Sequence, residues 1–148
     1  MASQATYMAL LTLFENNMRV LHWNVCGKNF AKDHTRFADY YEQLGEFMDQ
    51  TAEQMITVGE SPVNLTAVTD ILQNDEVNAF IIDPKTIYNG HAANVAAQQM
   101  FEMLYKQAVE LADEDDLPMD VCDVYMDHAR YYRIEGTYKL GRALMDNE

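Results

Sequence analysis

Two histidines and two carboxylates carry the most evident chemistry of this sequence: His22, His34, Asp49 and Glu53. Imidazole nitrogens and carboxylate oxygens suit Fe(II), and the hard carboxylate oxygens also stabilise Fe(III). Together they would make a good ligand set for iron. The same residues have a plainer interpretation, in which the histidines are structural and the Asp/Glu pair, one helical turn apart, is a solvated helix face.

The spacing of these residues determines how they could meet. A short loop separates His22 from His34, so both lie at the same end of a predicted helical hairpin. Asp49 lies 15 residues beyond His34, which is about 22 Å along an α-helix, whereas metal–ligand bonds are only about 2 Å long. One chain cannot close that gap. A two-fold axis could, by bringing the carboxylates of a second copy to these histidines, and it would make two identical sites per dimer.

The spacing of apolar residues predicts four long helices. The first spans residues 3 to 25. The second runs from an N-cap at Asp33 to about Val58. The third covers residues 84 to 113, with Pro84 near its start. The fourth has Pro118 in its first turn and ends near Met145.

A long link, residues 60 to 83, joins the second and third helices and contains a short amphipathic pattern from Leu65 to Leu72. A long connection is needed there if the second and third helices run parallel, as in a bundle with one crossover. The predicted fold is therefore all-α: a ferritin-like four-helix bundle with a short extra helix in the crossover. The length predicts a single domain over residues 1–148.

Composition excludes several classes of protein. The chain has 24 acidic and 10 basic residues, a formal net charge of -14, and neither terminus is basic, so we expect no binding to DNA. Glu15 and Arg19 interrupt the apolar N-terminal stretch, which predicts neither a signal peptide nor a membrane span. A cytoplasmic location follows by default. Cys26 and Cys122 are predicted to be small buried residues without a disulfide.

Around the four candidate ligands, the sequence resembles the Dps family, the mini-ferritins. The resemblance covers about residues 20 to 62. At the end of the first helix it rests on Leu21-His22-Trp23-Asn24, Gly27 and Asn29-Phe30. In the second helix and its exit it rests on His34, Phe37, Asp39, Tyr41, Gly45-Glu46, Met48-Asp49, Ala52-Glu53 and Gly59 to Pro62.

The resemblance implies an iron-storage ferroxidase that oxidises Fe(II) at two-fold interfaces of a homododecamer, typically with hydrogen peroxide, and stores ferric mineral inside the shell. It implies that the ligands are His22, His34, Asp49 and Glu53. Trp23 would shield the site or intercept stray oxidising equivalents, unless it is simply a hydrophobic interface residue. Acidic residues at the start of the last helix line iron-uptake pores in this family, and the candidates here are Asp120, Asp123 and Asp127.

The chain departs from the family pattern at several positions. Ala38 stands where an Asp often follows the second histidine by one turn, and the neighbouring Asp39 points elsewhere, which puts a second iron in doubt. Tyr138 stands where the last helix often has Trp. His91 and His128 have no evident partners and are predicted to be structural or surface residues. An acidic stripe on the second helix either lines the cavity or is a solvated face; its members are Asp39, Glu42, Glu46, Asp49 and Glu53.

Two other classes of protein remain as alternatives. One is a Dps-like shell or nucleoid protein with weak or no ferroxidase activity, which Ala38 favours slightly. The other is a different ferritin-like enzyme, such as a bacterioferritin or a manganese catalase. Such di-iron bundles use Glu-x-x-His on two helices. That motif is absent from the sequence, which argues against this class.

Overall fold

The computed structural model describes residues 2–62, 65–71, 73 and 82–145. Four long helices and a short helix between the second and third confirm the predicted all-α arrangement. In chain order, the elements are α1 (Gln4–Asn24), β1 (Val25–Cys26), α2 (Phe30–Thr57), α3 (Leu65–Ile71), β2 (Tyr88–Asn89), α4 (Gly90–Ala112), α5 (Met119–Tyr132), a π-helical segment (Arg133–Leu140) and α6 (Gly141–Leu144).

The second long helix begins earlier than predicted. Its N-cap is Asn29, and Asp33 lies buried in the first turn. The Asp33 carboxylate accepts hydrogen bonds from Arg36 and from Asn94 of α4, both at 3.4 Å. Asp33 therefore joins two helices and does not cap one, because its buried carboxylate needs donors that only the neighbouring helix and the next turn supply.

A two-residue parallel bridge fixes the relative direction of α2 and α4. Val25 pairs with Tyr88 and Cys26 with Asn89. Since β1 lies just before α2 and β2 directly precedes α4, both helices begin at the same end of the bundle. Further along, Tyr40 of α2 meets Phe101 of α4 edge to face, with ring centroids 4.8 Å apart. The second and third long helices thus run parallel, as predicted.

The third long helix begins at Gly90 and not near Pro84. The Asn89 side chain accepts from the Ala92 N–H and caps the helix. Before it, the Asp83 carboxylate accepts from the Lys85 N–H at 2.9 Å and holds a turn. A short polar side chain that bonds to the backbone ahead of it favours a turn over a helix.

The last long helix has the predicted bounds, with Pro118 at its N-cap, but its middle is π-helical. Gly136 packs closely on Phe101, because a Cβ there would lie 2.9 Å from the Phe101 Cβ. Gln98 donates to the Gly136 carbonyl at 3.1 Å. The helix can approach α4 so closely only where it lacks a side chain.

The core fills the space between the four long helices and is rich in aromatic rings. Its largest fully buried side chains include Tyr7, Phe14, Phe37, Tyr40, Phe101, Tyr125 and Tyr132.

The prediction that both cysteines are buried was wrong, since Cys26 is exposed and Cys122 only half-buried. Both are free thiols, as predicted. Cys26 lies in the short strand at the bundle end, outside the helical core. Among the described helices, none has the length and apolarity that a membrane span requires.

Candidate iron site

The hairpin between α1 and α2 brings His22 and His34 together. Their imidazole rings stack with centroids 3.7 Å apart and planes 17° from parallel. Gly27, with φ of 118°, supplies the left-handed turn between the helices. The sequence predicted that both histidines lie at one end of the hairpin, and the structure places them there.

Each histidine holds the other by a hydrogen bond to its backbone. Nδ1 of His22 donates to the carbonyl of His34 at 2.6 Å, and Nδ1 of His34 donates to the carbonyl of His22 at 2.7 Å. A carbonyl only accepts, so each neutral ring must carry its proton on Nδ1. The lone pair then resides on Nε2, the usual arrangement for a histidine that ligates a metal.

Aromatic and apolar side chains surround the pair. Tyr41 meets His22 at 5.5 Å with planes at 73°, and Phe30 stacks on His34 at 5.1 Å. Phe30 is itself 44% exposed, and Trp23, which follows His22 in the sequence, is 62% exposed. Two exposed aromatic side chains therefore accompany the half-buried histidine pair.

The two carboxylates do not reach the histidines within one chain. Asp49 and Glu53 are exposed, one turn apart, further along α2. Within the described ranges, no three His, Cys, Asp or Glu side chains are grouped so that they could hold a metal ion. The chain by itself thus presents a histidine pair and a carboxylate pair, each of which would be one half-site of the predicted iron site.

Comparison with known proteins assigns the chain to a family. The chain is 32% identical over 117 residues to the DNA protection during starvation protein of Listeria innocua, covering 77% of this chain and 74% of that protein. It is 30% identical over 109 residues to the protein of the same name from Listeria monocytogenes, covering 73% and 69%. The chain belongs to the Dps family. No protein-family model matches its sequence.

Solved Dps structures show the same fold. Dps from Vibrio cholerae, described as a member of a broad superfamily of ferritin-like diiron-carboxylate proteins, superposes with a TM-score of 0.81 at 22% identity over 95% of this chain and 86% of that chain. A histidine-to-glycine variant of Listeria innocua Dps gives 0.79 at 23% identity, covering 97% and 91%. The predicted ferritin-like bundle is confirmed.

The departure from the Dps pattern after the second histidine is visible in the structure. Ala38 is half-buried and Asp39 is exposed. Burial and the Glu135 charge raise the pKa of Tyr40, and the Asp39 charge adds to this effect. Ala38 thus supplies no carboxylate to this part of α2, and the carboxylate of Asp39 is exposed to solvent.

The three predicted pore residues lie on the exposed face of α5. Asp120 is in the first turn, and Asp123 and Asp127 follow at helical spacing. Asp127 accepts from Arg130 at 2.5 Å, with both side chains well exposed. Exposed ion pairs of this kind contribute little to the stability of the fold. The Arg130 charge therefore offsets part of the negative potential at Asp127 without fixing the position of that side chain.

His128 was predicted to be structural or at the surface, and the structure buries it fully, whereas His91 is exposed. Burial lowers the pKa of His128 to about 3, so the ring is neutral at physiological pH. The signal for burial was present in the sequence, because His128 follows Tyr125 by three residues and precedes Tyr132 by four. That spacing puts all three on one helix face.

Proposed function

We propose that the chain is an iron-storage ferroxidase. It oxidises Fe(II) to Fe(III), with hydrogen peroxide as the oxidant, at sites shared between subunits, and it holds the ferric product inside a homododecameric shell. The observation that carries the proposal is the reciprocal bond between the histidines, which leaves two Nε2 lone pairs ready for metal. We also propose that residues 1–148 form one domain and that the protein is cytoplasmic, where thiols such as Cys26 stay reduced.

The site needs both half-sites and therefore a partner subunit. His22 and His34 of one subunit would bind iron together with Asp49 and Glu53 of its two-fold mate. Three exposed apolar side chains support contacts near both halves: Trp23 and Phe30 at the histidines, and Ile56, 62% exposed, one turn beyond Glu53. An antiparallel pairing of two hairpins covers all of them at once.

The chemistry fits these ligands. Fe(II) is the substrate, and neutral imidazoles with carboxylates bind it and tolerate the Fe(III) product. Peroxide accepts two electrons, so two Fe(II) reduce one peroxide to two waters, with two protons, and no hydroxyl radical is released. Trp23 lies next to His22 and is placed either to shield the site or to intercept an oxidising equivalent. Ala38 supplies no carboxylate, which favours one strong and one weak iron position.

The function is tested by adding Fe(II) and peroxide to metal-free protein. We expect about two Fe(II) oxidised per peroxide and little hydroxyl radical in a spin-trap assay. His22→Ala should lower the rate of catalysed iron oxidation and increase the hydroxyl radical that the spin trap detects, because it removes one Nε2 ligand. His91→Ala is the matched control, since His91 is exposed and outside the site. Wild-type protein that oxidises iron no faster than buffer would instead support the alternative, a Dps-like shell without ferroxidase activity.

A second expectation concerns iron uptake. Replacing Asp120, Asp123 and Asp127 together by Asn should slow iron uptake at limiting Fe(II), because a three-fold axis would focus these charges on one pore. The control replaces Asp113, Asp115 and Asp116 by Asn, which changes the net charge equally at a different exposed turn. Equal rates in both variants would mean that the α5 aspartates merely favour a helix start.

A third expectation concerns nucleic acid. With a formal net charge of -14 per chain, the assembled protein should repel DNA at neutral pH, because affinity for DNA comes largely from basic side chains that neutralise phosphates. In a gel-shift assay at low salt without divalent metal, duplex DNA should migrate as free DNA. A retarded complex that dissociates as salt is added would contradict this.

A further inference from the structure

The bundle core contains a chain of hydrogen-bonded side chains that the candidate iron site does not use. The Tyr7 hydroxyl lies 2.8 Å from Nδ1 of His128 and 2.5 Å from the Tyr132 hydroxyl. Nε2 of His128 lies 2.7 Å from Oε1 of Gln50. Tyr7 and His128 are 0% exposed and Tyr132 is 1% exposed. The chain runs from the centre of the bundle to Gln50 at its surface.

The donors and acceptors fix the direction of every bond in this chain. The amide oxygen of Gln50 only accepts, so Nε2 of His128 carries the ring proton and Nδ1 carries the lone pair. The Tyr7 hydroxyl must therefore donate to Nδ1, and the Tyr132 hydroxyl donates to the Tyr7 oxygen. Tyr7 is thus a phenol whose proton already points at an imidazole base.

That arrangement is what the oxidation of a buried phenol requires. Removing one electron from a phenol makes its proton strongly acidic, so a fully buried phenol needs a base among the side chains that contact it. Burial raises the pKa of Tyr7 well above its usual value, so the phenolate is not available instead. Tyr125 is buried equally but donates to the amide oxygen of Gln4, which is a far weaker base than imidazole.

We propose that Tyr7, with His128 as its proton acceptor, is a redox-active residue that takes up one-electron oxidising equivalents formed when iron reacts with peroxide. This proposal rests on the proposed ferroxidase function only for the source of the oxidant. Gln50 follows Asp49 directly in α2. The series of hydrogen-bonded side chains therefore reaches the surface in the helical turn that holds the predicted carboxylate ligands. The buried ring is also protected from coupling with other radicals.

The electrons and protons balance in two steps. Tyr7 gives one electron to a hydroxyl radical, which becomes hydroxide, while the phenolic proton moves to Nδ1 of His128. Fe(II) then returns one electron to the phenoxyl oxygen and the proton moves back, so the net change is Fe(II) and hydroxyl radical to Fe(III) and hydroxide. Because burial disfavours the charged form of His128, the proton returns readily and the step is reversible.

The experiment supplies the oxidant without iron, so failure of the ferroxidase proposal would not affect it. The starting protein is metal-free and carries Trp23→Phe, which removes the exposed indole. Photogenerated ruthenium(III) tris-bipyridine oxidises this protein, and the frozen sample is examined by electron paramagnetic resonance. We expect a long-lived neutral tyrosyl radical. Tyr7→Phe should lose most of that signal, and His128→Gln should shorten its lifetime.

Tyr125→Phe is the matched control and should keep the long-lived signal, because that phenol is buried in the same core but its hydroxyl donates to Gln4 and not to an imidazole. A full signal in Tyr7→Phe, or an equal loss in Tyr125→Phe, would overturn the proposal. If Tyr7→Phe does not fold, deuteron double resonance on the protein with native Tyr7 and His128 decides the question. The radical must show an exchangeable deuteron in a hydrogen bond to its oxygen, and a radical without one would equally reject Tyr7.

Discussion

Mixed assemblies of His34→Ala and Asp49→Ala chains should recover ferroxidase activity that neither variant has alone. Each variant by itself should have an activity at least about tenfold lower than wild type. Removing a residue that only hydrogen-bonds to a metal ligand already lowers activity by about that factor. In a mixed two-fold pair, one site receives both mutations, while the other receives intact histidines from one chain and intact carboxylates from its mate. Random pairing therefore restores about a quarter of all sites. The measurement is the rate of peroxide-dependent Fe(III) formation after the two variants are unfolded, mixed and reassembled.

A mixture of His22→Ala and His34→Ala chains is the control for this prediction. Both mutations lie in the same half-site, so every site in the mixture carries a broken histidine pair and none should recover. Recovery in the control, or its absence in the His34→Ala and Asp49→Ala mixture, would show that the site is not divided between subunits in this way.

Acid should destabilise the folded chain through His128. Its pKa is lowered to about 3 by burial, against about 6.5 in an unfolded chain. Between these values the unfolded chain holds a proton that the folded chain lacks, so the free energy of unfolding falls as the pH falls. At about 1.4 kcal/mol per pH unit, the loss approaches roughly 3 kcal/mol near pH 4.5. The side chains that contact the ring carry no charge there: Tyr7, Tyr125, Phe47 and Gln50.

Urea unfolding at several values between about pH 7 and pH 4.5 measures this effect. His128→Gln should be less stable at neutral pH, because it loses ring packing on Phe47, but its stability should change less with pH over that window. His91→Gln, in which an exposed histidine is replaced, should keep the wild-type slope. A slope that is the same in wild type and His128→Gln would show that His128 does not titrate in this way.

Local patterns in the sequence determined the long helices and the placement of the candidate ligands. Apolar spacing is set by the helical repeat, which any window of the chain contains. It gave four long helices and the short helix between the second and third. The distance from His34 to Asp49 followed from helix geometry alone, and it already excluded a complete site within one chain.

Helix starts were less well predicted, because they depend on where side chains find partners. Asp33 has the chemistry of an N-cap, yet in the fold its carboxylate binds Arg36 and Asn94. Pro84 suits a helix start, but the Asp83 carboxylate holds a turn there. At Asp33 a contact with another helix decided how the side chain is used. Near Pro84 a local bond from Asp83 to the backbone two residues ahead favoured a turn over a helix start.

Tertiary structure alone decided the chemical state of the histidines. The sequence placed His22 and His34 at one end of a hairpin, but whether Nδ1 or Nε2 would face a metal depended on the carbonyl that each ring meets across the loop. His128 looked unpartnered because Tyr7 lies 121 residues away from it in sequence. Helix periodicity reports which face of a helix is apolar, whereas a hydrogen bond between distant residues exists only after the helices have packed.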